Sequence, residues 1–260
     1  MNKTKIEWCD STWNPVTGCL HDCEYCYARK IANRFKCSTE VFANKVEYSE
    51  MISSGIYEGT YRCAFPFGFK PTFYNERLVI PNNWKKGRNI FVCSMADLFG
   101  DWVPDEWINE VMKACANAPQ HNYLFLTKNP ERYAELINAG LIISAPNMWY
   151  GSTATSSRMK RFVRLAQDNA KYNTFISIEP LTEKWDINPY GEFENTQWVI
   201  IGAETGNRKE KVVPEKEWIE EIVEQCDKTK TPVFMKDILV PIIGEENMRR
   251  EFPKELEDRQ

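Results

Sequence analysis

The stretch that decides the fold is NIFVCSMADLFGDWVPDEWINEVMKACANAPQHNYLFLT, residues 89–127. Two short runs rich in β-branched and aromatic residues, NIFVCS (89–94) and NYLFLT (122–127), flank PDEWINEVMKACANA (104–118). The apolar residues of the middle segment recur at helical spacing, and Pro104 stands where a first helical turn favours proline. A strand, a helix and a second strand in this order predict a βαβ unit with parallel strands.

The same alternation continues along most of the chain. Further predicted strands are KIEWC (5–9), MWYGST (148–153), TFISIE (174–179), QWVIIGAE (197–204) and PVFMK (232–236). Further predicted helices are NPERYAELINAG (129–140), SSRMKRFVRLAQDNA (156–170) and PEKEWIEEIVEQCDK (214–228). We therefore predict a single α/β domain over residues 1–240. Residues 37–86, rich in Gly, Pro and aromatic side chains, predict an insertion that covers part of the domain, and the charged residues 241–260 predict a peripheral tail.

Composition limits the classes of function. The chain has 260 residues, 43% of them hydrophobic, and a net charge of -4, which argues against a strongly basic nucleic-acid surface. The basic segment SRMKRFVR (157–164) has helical spacing and favours a solvated helix face. No apolar run is long enough to span a membrane and the first residues lack an apolar leader, so we predict a cytoplasmic protein without a membrane partner. The nine cysteines, an odd number, then predict free thiols.

Polar residues stand at the end of almost every predicted strand. They are Asp97, Lys128, Ser152, Thr153, Glu179, Glu204 and Lys236. Because the carboxyl ends of parallel strands meet at one edge of a sheet, we expect these side chains to share one site. Carboxylates, ammonium groups and hydroxyls together suit a zwitterionic ligand that carries hydroxyl groups.

A loop with three cysteines follows the first predicted strand. In WNPVTGCLHDCEYCYARKIANRF (13–35), Cys19, Cys23 and Cys26 have the spacing C-x3-C-x2-C. A structural zinc site takes four protein ligands and more often shows paired C-x2-C spacings. Iron–sulfur clusters are normally held by four thiolates. Three thiolates on a four-iron cluster would leave one iron open for a ligand that is not a residue.

The loop resembles the signature of the radical S-adenosylmethionine (radical SAM) superfamily, including the aromatic Tyr25 before its last cysteine. The segments IEWCDSTWNPVTGC, FVCSMADLFGDWVP, LTKNPERY, FISIEPL, WVIIGAETG and PVFMKD look like an uncharacterised, phage-associated family of radical SAM-like proteins. The broader arrangement is similar to the spore photoproduct lyase branch, whose members repair or modify nucleic acid. The resemblance implies a partial (β/α)6 barrel of the TIM-like kind.

The resemblance also implies cofactors and a reaction. Cys19, Cys23 and Cys26 would hold a [4Fe–4S] cluster, and the amino and carboxylate groups of S-adenosylmethionine would chelate its open iron. An electron from an external donor would cleave S-adenosylmethionine and yield a 5'-deoxyadenosyl radical. That radical would abstract a hydrogen atom from the substrate, for which a nucleic acid or nucleotide is the candidate.

Residue roles follow from the same resemblance. Lys128 is a candidate for the carboxylate of S-adenosylmethionine, and Ser152 or Thr153 for its methionyl or ribose groups. Glu179 and Glu204 are candidates for ribose hydroxyls or the substrate. The remaining candidates are Tyr25 against the adenine or the cluster, and Asp97 and Lys236 nearer the substrate than the cofactor.

Several alternatives stay open. Cys9 ends the first predicted strand and could be a fourth thiolate, a hydrogen donor to a radical or a buried residue, and Cys37 or Cys63 could enter the site. We expect His21 to be an exposed spacer. A zinc-binding module completed by Cys9 or His21 is one alternative function; a degenerate radical SAM fold that binds nucleic acid or a partner is another. The glycine-rich GGE motif expected after the second strand is replaced by CSMADLFGD (93–101).

Overall fold

A computed structural model describes residues 4–36, 56–57, 64–156, 172–187, 193 and 196–257. Its strands are Ser11–Trp13 (β1), Val16–Thr17 (β2), Ile56–Tyr57 (β3), Thr72–Tyr74 (β4), Asn89–Val92 (β5), Asn122–Thr127 (β6), Met148–Thr153 (β7), Asn173–Ile178 (β8), Val199–Ile201 (β9) and Val233–Met235 (β10). Its α-helices are Tyr27–Arg34 (α1), Asp105–Ala116 (α2), Glu131–Asn138 (α3), Lys216–Thr229 (α4), Val240–Ile243 (α5) and Lys254–Glu257 (α6). Short 3-10 helices lie at Asn75–Arg77, Pro81–Asn83, Asp237–Leu239 and Glu245–Asn247.

The main sheet has seven parallel strands in the order β1-β5-β6-β7-β8-β9-β10. The strands therefore follow one another in space as they do in the chain, and the sheet curls into a partial TIM-like barrel of α/β type. A small second sheet has the order β2-β4-β3, in which β2 pairs antiparallel with β4. The predicted partial barrel is confirmed.

Strand alternation separates two apolar layers. In β5, Ile90 and Val92 pack with Trp107 and other residues of α2, whereas Phe91 belongs to a second cluster. That second cluster fills the inner face of the barrel and consists of Trp8, Phe91, Leu124, Trp149, Phe175, Trp198, Ile200, Phe234 and Leu256. The barrel interior is thus packed mainly with aromatic rings, and the rings of Trp8 and Phe91 lie 4.6 Å apart between centroids.

The prediction of a first strand at residues 5–9 is wrong. The strand is β1, in which Trp13 is in register with Val92 of β5. Residues 5–9 form no strand, and Trp8 is instead buried in the inner cluster. The alternation of apolar residues around Trp8 reflects the filling of the barrel interior, which the sequence pattern does not distinguish from pairing in a sheet.

The expectation of a peripheral C-terminal tail is also wrong for its described part. The side chain of Leu256 is 0% exposed and lies in the inner cluster. Trp198 Nε1 donates to the carbonyl of Glu251 at 2.9 Å. The segment also pairs with β10 through an antiparallel bridge between Arg250 and Phe234. These contacts make residues 249–256 part of the barrel.

Part of the predicted insertion contributes to the core. Phe73 of β4 is buried and its ring stacks on that of Trp107, with centroids 5.5 Å apart. Residues 157–170, which carry the predicted basic patch, and Cys37 and Cys63 lie outside the described residues. Within the part of the chain that the structure describes, no helix has the length and apolar character needed to cross a membrane.

Candidate functional site at the carboxyl edge of the sheet

A cavity of about 220 Å³ opens where the parallel strands end. Its rim includes the cysteine loop and polar residues that follow the strands. Its floor is apolar and includes Ile6, Trp8, Phe91 and Leu126. A polar rim over an apolar floor is the usual character of a small-molecule site.

Most of the residues predicted for the site line this cavity. They are Cys19, Cys23, Tyr25, Cys26, Lys128, Thr153, Glu179 and Glu204, together with Asp97 and Lys236. Cys9 and Ser152 do not line it. Ser152 is adjacent to Thr153 in β7, so strand alternation turns its side chain to the other face. Cys9 packs against the inner cluster, where burial raises the pKa of its thiol to about 12.

The cysteine loop begins at a position that requires glycine. Gly18 has a φ of +88°, and a Cβ at this position would lie 2.2 Å from the carbonyl oxygen of Lys70. At its other end the loop runs into α1, for which Cys26 is the N-cap. The Cys26 sulfur accepts a hydrogen bond from the amide of Arg29 at 3.4 Å. Both ends of the loop are therefore fixed by backbone geometry.

His21 is not an exposed spacer, contrary to expectation. Its Nε2 donates to Oδ2 of Asp97 at 2.7 Å, and its ring packs edge-on against Trp102. Asp97 is only 5% exposed. Asp97 accepts further bonds from the amide of Phe99 at 3.0 Å, the hydroxyl of Thr127 at 2.7 Å and the amide of Lys128 at 2.8 Å. A single buried carboxylate thus joins the cysteine loop to the ends of β5 and β6.

A second contact joins the loop to the end of β9. Arg208 donates from Nε and Nη2 to the two oxygens of Glu204, each at 2.8 Å, and from Nη1 to Glu24 at 3.1 Å. Glu24 lies between Cys23 and Cys26. The bonds from Arg208 lower the pKa of Glu204 from its ordinary value. The ion pair therefore stays charged at neutral pH.

Two further polar pairs lie on the rim. Lys128 Nζ donates to the hydroxyl of Tyr25 at 2.9 Å, which makes a third contact between the loop and a strand end. Lys236 Nζ forms an ion pair with Glu179, and both side chains are mostly buried. The cavity therefore has ammonium groups on two different sides, each with an oxygen partner.

The three thiols lie in one cavity without forming a ready-made site for a single ion. Burial raises the pKa of the Cys19 thiol to about 11, so this side chain is a thiol at neutral pH unless a metal displaces its proton. Within the described residues, no three His, Cys, Asp or Glu side chains are close enough together to hold a metal ion. The thiolate ligands of an iron–sulfur cluster bind separate irons, and three thiols around one cavity fit that donor set.

Sequence reasoning missed Ser177, which also lines the cavity. It is 1% exposed, and its hydroxyl has no hydrogen-bond partner among the residues that the structure describes. The signal was available: residues 175, 177 and 179 alternate onto the same face of β8, so a site that includes Glu179 extends to Ser177.

Comparison with solved structures supports the fold. A structure of a spore photoproduct lyase mutant matches with a TM-score of 0.50 and 10% identity, over 90% of this chain and 79% of that chain. Another mutant of that lyase, with bound AdoMet and dinucleoside spore photoproduct, matches with a TM-score of 0.45 and 11% identity over 88% of this chain and 64% of that one. A search of the curated proteins found no relative.

The fold is a partial α/β barrel similar to that of spore photoproduct lyase, with a cavity at the carboxyl ends of its strands. The chain belongs to the DUF5131 family, described as a protein of unknown function, whose profile matches residues 3–250.

Proposed function

We propose that this protein is a radical SAM enzyme that binds a [4Fe–4S] cluster through Cys19, Cys23 and Cys26. The observation that carries the proposal is that these three thiols share one cavity with charged residues from the ends of several parallel strands. When bound, the cluster and S-adenosylmethionine would supply reductive cleavage of a sulfonium and a 5'-deoxyadenosyl radical. An external electron donor and a substrate that we propose to be a nucleic acid or nucleotide complete the reaction.

The chain's own residues would bind and orient the cofactor. Lys128 presents its ammonium group beside the cysteine loop and is the proposed partner of the S-adenosylmethionine carboxylate. Thr153, rather than Ser152, faces the cavity and is proposed to bind methionyl or ribose groups. Glu179 is the proposed acceptor for ribose hydroxyls or the substrate. Glu204 already accepts two bonds from Arg208, so we propose that its main role is to hold the loop.

The apolar floor would exclude water from the reacting atoms. Trp8 and Phe91 form much of this floor and belong to the inner cluster. Such a surface would keep solvent away from the reacting atoms of the bound ligands. The charged rim would hold the cofactor, and the floor would protect the chemistry.

Anaerobic reconstitution tests the proposal. We expect about four irons for each chain, and release of 5'-deoxyadenosine after addition of dithionite and S-adenosylmethionine. Cys19→Ala, Cys23→Ala and Cys26→Ala should each abolish cluster binding, while Cys115→Ala, in the core away from the cavity, should leave it intact. Cys9→Ala, outside the cavity, should also keep the cluster.

Three other outcomes would contradict parts of the proposed function. A colourless protein with one zinc for each chain would mean that the cysteines form a structural metal site. Retention of the full cluster in any of the three variants would remove that cysteine from the ligand set. A protein that holds the cluster and does not cleave S-adenosylmethionine would indicate a binding protein with a radical SAM fold.

A further inference from the structure

The floor of the cavity contains a polar atom that the proposed cofactor contacts do not use. Ser177 is 1% exposed, and its Oγ has no partner among the described residues, although it lines the cavity. A buried hydroxyl without a hydrogen bond destabilises the folded state, so its presence calls for an explanation. A bound ligand that supplies the missing partner is such an explanation.

The position of Ser177 places it below the rim. It is in register with Thr153 on β7 and with Ile200 on β9. Glu179, two residues further along the chain, lies on the rim in its ion pair with Lys236. Phe175, two residues before, belongs to the inner aromatic cluster. Ser177 therefore stands at the boundary between the polar rim and the apolar floor.

The surroundings of Ser177 indicate what could bind there. The floor presents the rings of Trp8 and Phe91 and the aliphatic side chains of Ile6 and Leu126. Flat rings pack well on such surfaces, and a ring that also carries a polar edge atom could hydrogen-bond to the serine hydroxyl. A purely aliphatic ligand would leave Ser177 unpaired, and a strongly charged one would be desolvated without a counter-charge.

We infer that Ser177 and the floor residues Trp8, Phe91 and Leu126 form a substrate subsite for a planar heterocycle of the nucleobase type. The subsite lies below the cofactor residues of the rim, and the inference rests on the proposed function for assigning the rim to the cofactor. Ser177 binds a ring nitrogen or exocyclic oxygen of the substrate, and the floor packs against the ring.

Thr196 offers a matched control. Its hydroxyl is likewise buried without a partner among the described residues, but it does not line the cavity. Ser177→Ala and Thr196→Val each remove one unpaired hydroxyl, and valine keeps the buried methyl group of the threonine. Both should raise the melting temperature, by roughly 2–4 °C for a chain of this size. Only the first should alter binding at the cavity.

The test is equilibrium dialysis of thymidine, cytidine, adenosine and guanosine against the wild type and both variants. It is run on the protein reconstituted with iron and sulfide in the presence of S-adenosylmethionine, and repeated on the protein as purified. We expect at least one nucleoside to bind. Ser177→Ala should weaken that binding about five- to tenfold, the effect of one lost hydrogen bond. Thr196→Val should bind as the wild type does.

The same samples are assayed for iron content and S-adenosylmethionine binding, both of which Ser177→Ala should retain. Failure of every nucleoside to bind, or equal binding by Ser177→Ala and the wild type, would overturn the subsite. Loss of S-adenosylmethionine binding in Ser177→Ala with an intact cluster would assign this serine to the cofactor instead. A wild type without a cluster would defeat the proposed function, while dialysis on the protein as purified would still test the subsite.

Discussion

Replacement of Asp97 by alanine should be among the most destabilising single changes in this protein. The carboxylate accepts hydrogen bonds from Phe99, Thr127, Lys128 and His21, all between 2.7 and 3.0 Å. Each buried donor that loses its acceptor costs about 1–3 kcal/mol. Because neighbouring groups relax and share the loss, we expect about 3–5 kcal/mol in total.

Asp97→Asn refines the prediction. The asparagine keeps one oxygen acceptor, and its amide can donate to His21 if the imidazole takes the other tautomer. One backbone amide, that of Lys128, then loses its partner. We expect a loss of about 1–3 kcal/mol for this variant, clearly smaller than that for alanine.

Urea unfolding of the protein under anaerobic, reducing conditions measures both effects, with tryptophan fluorescence as the signal. Asp101→Ala is the matched control, since this nearby acid is exposed and bonds to Asn129. It should change the free energy of unfolding by about 0.5 kcal/mol or less. A loss below about 1 kcal/mol for Asp97→Ala, or equal losses for Asp97 and Asp101, would refute the assignment of Asp97 as the link between loop and barrel.

Three further predictions concern the cysteine loop. His21→Leu removes the bond to Asp97 and should increase the rate at which the loop thiols react with a thiol reagent. His21→Gln can still donate to Asp97, and Leu20 is 57% exposed, so His21→Gln and Leu20→Ala should react at the rate of the wild type. Equal rates in all variants would contradict the role of His21 in holding the loop. Gly18→Ala should lower the free energy of unfolding by at least about 2 kcal/mol, because Gly18 has a φ of +88° and the added carbon would meet the carbonyl oxygen of Lys70. A urea midpoint like that of the wild type would disprove this close contact. The pKa of Glu204 is lowered on folding, so its pair with Arg208 stabilises the protein above the unfolded pKa of about 4.3 and loses this effect as the pH falls through the lower folded pKa. In urea unfolding across that pH range, Arg208→Gln should be less stable than the wild type at neutral pH and equally stable in acid. A difference in stability that stayed constant with pH would contradict the lowered pKa.

The parallel strands were the most predictable part of the fold. NYLFLT and MWYGST match β6 and β7 at both ends, since a short apolar run between turn residues permits few other boundaries. The first strand was misplaced because Trp8 and its apolar neighbours look like a strand and instead fill the barrel. The C-terminal residues were misjudged because their average charge hides single buried side chains such as Leu256.

The candidate site also has a part that the sequence predicts and a part that it does not. Residues at strand ends were predictable because the topology of a parallel sheet brings them to one edge. The partners of the loop were not, since neither the bond from His21 to Asp97 nor that from Glu24 to Arg208 follows from local spacing. Such pairs span 76 and 184 residues and depend on how the whole sheet curls around the cavity.

The segment that pairs with β10 has a consequence for solubility. The amide of Met235 donates to the carbonyl of Arg249 at 2.8 Å, and the amide of Glu251 donates to the carbonyl of Val233 at 2.9 Å. These bonds occupy the outer peptide groups of the last strand in the sheet, which would otherwise be free to pair with another chain. A chain shortened to residue 240 would keep every residue that lines the cavity. It would also present a bare strand edge beside uncovered aromatic rings, and such a protein would aggregate although its site was complete.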